Sequence, residues 1–280
     1  MKLEDINIRD PFIFYENEKY YLFGTTGGVA MNNGSALVMY ISEDMKQFEG
    51  NYIKLEQHSL ASYTDIWAPE LHKYQNKYYL IVSVYRNDLG RGSIIFVSDN
   101  IFSTFSLLTG KYITPFGWGC LDATIFVYKC KPYLCFSNEW TTPITKDGDG
   151  ALFICGMKED LTELVGTPQK IIGGKQFEFS IEIKQGSKRG YVAEGPYLYE
   201  EDGQIILLWS TFTKGGYTIV KSISKSGVFG KYTFDKILFE HDGGHCMCFF
   251  DKNGDRWLVL HQPNSLLDER VKIYRIAESI

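Results

Sequence analysis

A hairpin-forming unit recurs five times along this chain of 280 residues and strongly limits the folds that the chain can adopt. Each copy has a short apolar run, a polar turn and a second aromatic or aliphatic run. The second runs begin at Lys19, Lys77, Lys131, Gln204 and Arg256. They are separated by 58, 54, 73 and 52 residues, so one insertion interrupts an otherwise regular period. A further strand-like run follows each hairpin, and a weaker fourth run usually follows that one.

The repeat predicts an all-β fold, a five-bladed β-propeller. Four strands per unit at a period of roughly 50 residues are typical of propeller blades arranged around an axis. The composition agrees, because 19 Tyr, 19 Phe and 5 Trp accompany 27 Gly but only 8 Pro, as suits strands punctuated by glycine. A β-sandwich also alternates short strands with turns, but the fivefold recurrence favours the propeller. Because the units fill the chain, we expect residues 1–280 to form a single propeller domain.

Charge and hydropathy restrict the partners of the chain. The net charge is −5 and no run of Lys and Arg occurs, which argues against binding nucleic acid through phosphate neutralisation. No segment approaches the roughly 20 apolar residues needed to cross a bilayer, so we expect no membrane partner. The start of the sequence lacks the basic and apolar regions of a secretion signal, and we therefore expect a cytoplasmic protein. The oligomeric state is left open.

Acidic residues occur at equivalent positions of the repeat. In a propeller the first strand of each blade lines the central channel, so the starts of these strands converge in space. The residues there are Asp10, the segment 65–70, Asp122, Glu194 and His245. Beginning an apolar strand with a carboxylate is unfavourable unless the group is solvated, paired or ligated. Each acid taken singly could form a turn or cap a strand, but their shared position favours a functional site.

Clustered carboxylates acquire separated pKa values. Burial and mutual repulsion raise the pKa of at least one group and can keep it protonated near neutral pH. Cleavage of a glycosidic bond uses such a pair, because one group protonates the leaving oxygen while the other activates water or attacks the sugar. The pattern of acids therefore favours a glycosidase.

Five short motifs resemble those of a known family. They are RDPF at 9–12, WAPE at 67–70, LDAT at 121–124, EGP at 194–196 and GGH at 243–245. In this order they resemble the successive blade motifs of glycoside hydrolase family 43, and the resemblance runs from Arg9 to about Arg270. That family groups β-xylosidases, α-L-arabinofuranosidases, arabinanases and galactanases on a five-bladed propeller. The resemblance implies that the substrate is an oligosaccharide.

The resemblance also implies an inverting hydrolase with catalytic acids in distinct roles. Asp10, in the RDPF motif, would be the general base that removes a proton from the attacking water. Glu194, in the EGP motif, would be the general acid that protonates the departing oxygen. Asp122, in the LDAT motif, would tune the pKa of the acid and orient it. No cofactor is required for this chemistry.

The GGH motif resembles the family position whose histidine lies on the propeller axis near a bound calcium ion or an ordered water. This resemblance implies a metal site, with calcium near His245. Calcium prefers oxygen ligands, so a lone histidine is a poor primary ligand and would act through waters. The alternative is a buried, hydrogen-bonded histidine without an ion. We expect His261, on the partner strand of the same blade, to lie in the core.

Aromatic residues near the motifs are candidates for binding substrate, because flat aromatic faces pack on the C–H surfaces of sugars. Trp67 stands immediately before the inner strand of the second blade and is the first candidate. Trp118 and Trp140, on either side of the third hairpin, are the next candidates. Ordinary packing is the alternative for all of them. Arg270 resembles a late arginine that contacts sugar hydroxyls in the family, and a surface ion pair would explain it equally well.

These observations predict an exo-acting glycosidase that releases terminal α-L-arabinofuranose or β-D-xylose from short plant-type oligosaccharides. Exo action is expected because the chain is nearly all blades, which favours a pocket over an extended cleft. One alternative is a noncatalytic carbohydrate-binding propeller, which would have no need of all the acids. The other is a family 43 enzyme that acts on β-galactosides.

Overall fold

Antiparallel strands make up nearly all the regular structure of the computed structural model, which describes residues 1–27, 34–142 and 148–276. Blade 1 contains β1 (Arg9–Glu16), β2 (Lys19–Thr25), β3 (Ala36–Ser42) and β4 (Glu49–Lys54). Blade 2 contains β5 (Thr64–Tyr74), β6 (Lys77–Arg86), β7 (Gly90–Ser98) and β8 (Ser106–Leu107). Blade 3 contains β9 (Cys120–Tyr128), β10 (Lys131–Asn138), β11 (Ala151–Met157) and β12 (Leu164–Gly173).

The second half of the chain continues the pattern after one extra hairpin. That hairpin pairs β13 (Ile183–Gln185) with β14 (Lys188–Gly190) and accounts for the long step in the repeat. Blade 4 contains β15 (Glu194–Glu201), β16 (Gln204–Thr213), β17 (Gly216–Ser224) and β18 (Thr233–Phe239). Within the described ranges, blade 5 contains β19 (Gly244–Phe250), β20 (Arg256–Gln262) and β21 (Arg270–Arg275). Two short 3-10 helices, Leu3–Asp5 and Gly174–Gln176, lie outside the strands.

The blades form a closed ring. Within each blade the strands are hydrogen-bonded in chain order, which is the meander expected of consecutive hairpins. The first strands of the blades, β1, β5, β9, β15 and β19, contact one another in sequence, and β19 contacts β1 again. The predicted all-β, five-bladed propeller is therefore confirmed. The assignment of residues 1–280 to one catalytic domain stays a prediction.

The core lies between neighbouring blades, because the second strand of a blade is buried on both faces. In β6 and β16 almost every side chain is buried, which is why these segments read as continuous apolar runs. The outer strand β4 is mostly exposed, and the residues of the outer strand β18 are exposed or half-buried. Separate apolar clusters fill the interfaces between blades 2 and 3, blades 3 and 4, and blades 4 and 5, and the largest cluster joins blades 5, 1 and 2.

The segment before β1 joins the two ends of the ring. Ile6 and Ile8 are fully buried in the cluster that contains Met247 and Val259 of blade 5. Between them, the Asn7 Nδ2 group donates hydrogen bonds to two backbone carbonyls of the β20–β21 connection, both at 2.8 Å. This segment thus attaches the first blade to the last by both apolar packing and hydrogen bonds.

None of the helices within the described ranges has the length and apolar character needed to span a membrane.

We predict that Trp209→Ala lowers the free energy of unfolding by about 3–5 kcal/mol, as is usual for truncation of a buried aromatic residue. Trp209 is fully buried in the cluster between blades 3 and 4, and its Nε1 donates a hydrogen bond to Ser222 Oγ at 3.0 Å. Urea unfolding followed by circular dichroism measures the loss. Phe116, which is 72% exposed, provides the control, because Phe116→Ala should change the value by less than about 0.5 kcal/mol. Equal stabilities of the two variants would contradict the assigned role of this interface.

Candidate active site

Near the start of the first strand of each blade, called here the inner strand, a β-bulge or irregularity includes a residue in the left-handed backbone region. These residues are Asp10 (φ 53°), Ala68 (φ 45°), Asp122 (φ 52°), Gly195 (φ 58°) and His245 (φ 49°). Pairing with the second strand is interrupted at each of these positions. The left-handed conformation is strained for residues other than glycine, and bulges commonly redirect side chains beside active sites. The same local distortion, repeated five times, brings the predicted acids to one end of the propeller axis.

Hydrogen bonds between neighbouring blades hold these bulges. The N–H of a left-handed residue donates to a side chain near the end of the second strand of the preceding blade. The pairs are Ala68 to Thr25 Oγ1, Asp122 to Ser83 Oγ and His245 to Ser210 Oγ, each at 2.8 Å, and Asp10 to His261 Nδ1 at 3.1 Å. The fifth boundary differs, because Gly195 donates to Asp122 Oδ2 at 3.1 Å. There the equivalent hydroxyl, that of Ser137, has no hydrogen-bond partner among the described residues.

Asp10 is only 7% exposed and is surrounded by donors. Its Oδ2 accepts a hydrogen bond from the Thr25 hydroxyl at 2.6 Å, and its Oδ1 lies 3.1 Å from His245 Nδ1 and 3.4 Å from Arg9 Nε. Burial alone would raise the pKa of Asp10, but the positive charges of Arg9 and His245 hold that pKa well below its ordinary value. Asp10 is therefore an anion at neutral pH.

His245 lies between two of the acids. Its Nδ1 is 3.1 Å from Asp10 Oδ1 and 3.8 Å from Asp122 Oδ2. Burial by itself would lower the pKa of His245, but the two carboxylates outweigh burial and raise its pKa to about 9. The protonated His245 therefore places a positive charge beside the carboxyl groups of Asp10 in blade 1 and Asp122 in blade 3.

Asp122 and Glu194 both have raised pKa values. Burial is the main cause for both groups; it raises the pKa of Asp122 to about 7, and His245 opposes the shift while Glu194 adds to it. Glu194 is partly exposed, and its Oε1 accepts a hydrogen bond from the Tyr217 hydroxyl at 2.8 Å, which lowers its pKa against the effect of burial. Near neutral pH this pair retains a proton while Asp10 is ionised. That division is the one that an acid and a base for glycosidic bond cleavage require.

These acids open into a cavity of about 360 Å³ on the axis. Its lining includes Asp10, Asp122 and Glu194, together with His245, Trp67 and Trp140. The volume is near the lower end of the roughly 300–1,000 Å³ typical of ligand pockets. Six of the eight predicted site residues therefore meet in one place.

The other two predicted residues lie elsewhere in the described structure. Trp118 makes a T-shaped contact with Phe153 of blade 3, with ring centroids 5.1 Å apart, and is not part of the cavity lining. Arg270 Nη1 donates hydrogen bonds to the carbonyl oxygens of Leu267 and Glu269, at 3.3 and 2.8 Å. It therefore holds the β20–β21 connection, which borders the cavity, rather than lining the cavity itself.

The sequence reasoning missed the residues that hold the acids in place. Thr25, Ser83, Ser137 and Ser210 each stand six positions after the start of a second run, so a recurrent hydroxyl was visible in the repeat. His261 is buried as expected, but it also closes the ring of bulges. Burial lowers its pKa to about 4, so the ring is neutral and Nδ1 accepts the N–H of Asp10.

The residues around His245 do not fit a calcium ion bound directly by this side chain. Its Nδ1 is engaged by two carboxylates, and the described part of the chain contains no group of three or more His, Cys, Asp and Glu side chains placed to hold a metal. Calcium prefers six to eight oxygen ligands. A calcium ion bound through waters near His245 stays a prediction, and no step of the chemistry depends on it.

Solved structures share this architecture over almost the whole chain. An endo-arabinase from Bacteroides thetaiotaomicron VPI-5482 is 31% identical with a TM-score of 0.89, and the match covers 99% of this chain and 96% of that protein. An endo-1,4-beta-xylanase from the same organism is 22% identical with a TM-score of 0.75, covering 99% and 92%. An alpha-L-arabinofuranosidase from Lactobacillus brevis is 16% identical with a TM-score of 0.75, covering 96% and 90%. The last two likenesses show the fold alone.

A family profile gives the same assignment from the sequence. The profile described as glycosyl hydrolases family 43 matches residues 5–277, a range that contains every acid of the cavity. None of the curated proteins matches the chain. The resemblance carried by the blade motifs is confirmed, and the protein belongs to family 43 of the glycosyl hydrolases.

Proposed function

We propose that the protein is an inverting glycosidase that removes terminal α-L-arabinofuranose or β-D-xylose from short plant-type oligosaccharides. One observation carries the proposal: Asp10, whose pKa is lowered, lines the same small cavity as Asp122 and Glu194, whose pKa values are raised. The size of the cavity supports an exo mode of action, because it suits the end of an oligosaccharide better than a long polymer segment.

In this mechanism the two acids act on opposite sides of the bond that breaks. Asp10 accepts a proton from a water molecule as the water oxygen bonds to the anomeric carbon. Glu194 donates its proton to the glycosidic oxygen as the carbon–oxygen bond breaks, so the products are a free sugar and an alcohol. Attack from the face opposite to the leaving group inverts the anomeric configuration. The nearby carboxylate of Asp122 stabilises the positive charge that develops on the sugar ring.

The contacts of Asp10 support its role as the base. The Thr25 hydroxyl and His245 hold its two oxygens, and the backbone N–H of Asp10 is bound to His261. A carboxylate with this orientation loses little entropy when it meets a water molecule. Because the pKa of Asp10 is lowered and that of Glu194 is raised, there is a pH range in which Asp10 is ionised while Glu194 still holds its proton.

A second candidate is endo-action on arabinan. It is favoured by the 31% identity to the endo-arabinase, which extends over 99% of this chain. The same acids would perform the same chemistry in either mode, so the two candidates differ only in how the chain of sugars lies across the cavity. Products distinguish them directly.

The experiment that tests the proposal follows product formation from linear arabinan, arabinotriose, xylotriose and aryl β-galactosides. An exo-acting enzyme releases only monosaccharide from the start, whereas an endo-acting enzyme first releases oligosaccharides from arabinan. Proton NMR of the earliest product gives the anomer and so tests inversion. Binding without hydrolysis of any substrate would instead support a noncatalytic carbohydrate-binding propeller. Turnover of the β-galactoside alone would support a family 43 enzyme that acts on β-galactosides.

We predict that Asp10→Asn and Glu194→Gln each lower kcat on the natural oligosaccharide by about a hundredfold to ten-thousandfold, the usual contribution of a general acid or base. With aryl glycosides whose leaving group needs no protonation, Glu194→Gln should recover much of its activity and Asp10→Asn should not. Initial rates and circular dichroism of the folded variants measure both effects.

Exposed acids of the same type serve as controls for these variants. Asp99 and Glu43 have side chains that are 87% and 76% exposed, so Asp99→Asn and Glu43→Gln should retain wild-type rates. Wild-type turnover by the Asp10→Asn variant would remove the role of base from Asp10.

We predict that Tyr217→Phe moves the basic limb of the kcat/KM profile to higher pH. The limb reports loss of the proton from the acid, because activity requires protonated Glu194 and falls as pH rises through its pKa. Burial raises that pKa and the Tyr217 hydrogen bond lowers it, so removing the hydroxyl lets it rise further. Rates from below about pH 4, where ionisation of Asp10 sets the acidic limb, to about pH 9 measure the shift.

The acidic limb should not move, since the Tyr217 hydroxyl is hydrogen-bonded to Glu194, whereas the oxygens of Asp10 are held by Thr25, Arg9 and His245. Tyr52→Phe on the exposed strand β4 is the matched control and should leave both limbs in place. A shift of the basic limb to lower pH would show that the hydroxyl does not stabilise the ionised form of Glu194.

A further inference from the structure

Arg91 lies behind one wall of the active-site cavity and contacts three residues that line it. Its guanidinium carbon is 3.6 Å from the centre of the Trp67 ring. Its Nη2 is 3.0 Å from Asp65 Oδ2, and its Nε is 3.8 Å from Glu139 Oε2. Arg91 itself is only 9% exposed and is not part of the lining.

The contact with Trp67 restricts the orientation of the indole. The backbone of Trp67 is already fixed, because the next residue is the left-handed Ala68, whose N–H is bound to Thr25. The side-chain torsions would remain free without a packing partner. A guanidinium stacked at 3.6 Å covers one face of the ring and fixes its plane, while the ring still borders the cavity.

The two carboxylates that Arg91 contacts come from different blades. Asp65 belongs to β5 of blade 2, and Glu139 follows β10 of blade 3. Because Arg91 is on β7, its charge holds together a wall that no single blade forms. Carboxylate oxygens accept hydrogen bonds from sugar hydroxyls, so fixing these groups also fixes acceptors for a substrate.

Burial of Arg91 is unfavourable for stability alone. The Nη1 nitrogen is buried and has no hydrogen-bond partner among the described residues, although a guanidinium normally satisfies its donors when it leaves water. The cost of burying this donor suggests that Arg91 has a role beyond stability, which is to position the wall residues that it contacts.

We propose that Arg91 is a positioning residue that sets the sugar-binding face of Trp67, and the carboxylates of Asp65 and Glu139, for the bound oligosaccharide. It acts on affinity and not on proton transfer, because its contacts are to the wall and not to Asp10, Asp122 or Glu194. The inference rests on the proposed function, since it assumes that this cavity binds a sugar chain.

The test compares Arg91→Met and Arg91→Lys with the wild type on arabinotriose and xylotriose. Arg91→Met keeps the length of the side chain but loses its charge and planar face. For the trisaccharide that the wild type hydrolyses, it should raise KM about tenfold, a change of the size that a buried cation–π contact can supply. It should leave kcat within about threefold of the wild type and both pH limbs unmoved. Arg91→Lys retains the charge without the planar fork and should give an intermediate KM.

Arg86→Met is the matched control. Arg86 is on the same blade, its partner Asp88 is exposed, and it is not part of the cavity lining, so its KM should equal that of the wild type. Titration of the trisaccharide into Asp10→Asn, with and without Arg91→Met, measures the same loss of affinity without turnover.

The outcomes separate this inference from the proposed function. An unchanged KM and dissociation constant in Arg91→Met, with an active wild type, would overturn the role of Arg91 and leave the glycosidase assignment intact. A fall in kcat at constant KM would also overturn it. If Arg91→Met fails to fold, a wild-type KM in Arg91→Lys would also overturn the role of Arg91. The contact of the planar guanidinium with the Trp67 ring would then be dispensable for binding. A wild type that neither binds nor hydrolyses any sugar would instead defeat the proposed function itself.

Discussion

The site depends on a balance of charge among acidic side chains that are largely buried. Asp10 and Asp122 are almost fully buried beside Glu194, and like charges so close together repel one another. His245 and Arg9 supply the opposing charge, and their proximity to Asp10 makes that acid the one that ionises. The other two acids then retain a proton between them. One set of contacts therefore both permits the burial and divides the acids into a base and an acid.

The fold maintains this balance because the same residues belong to the site and to the joints between blades. A left-handed residue stands near the start of each inner strand, and a side chain of the preceding blade binds its N–H at four boundaries. At the boundary between blades 3 and 4 the carboxylate of Asp122 takes that part by accepting the N–H of Gly195. Moving one blade would therefore move an acid, which gives the ring of blades a direct connection to the chemistry.

The aromatic residues mark the limit of reading the sequence alone. Trp67, Trp118 and Trp140 all stood near a motif, yet Trp118 packs within its blade while the other two border the cavity. Nothing in the local pattern separates them, because an aromatic ring is equally suited to a core and to a sugar. What distinguishes Trp67 is Arg91, which lies on another strand and covers one face of its ring.

The sequence by itself determined the number of blades, the hairpins and the three acids, since these depend on runs and turns that act over a few neighbouring residues. Only the tertiary structure decided the protonation of the acids and the orientation of the side chains around them. The partners responsible are far apart in the chain: Asp10 and His261 are 251 positions apart, and Asp122 and Gly195 are 73. A pKa depends on charges and burial within a few ångströms, and no local pattern records which distant side chains will meet there.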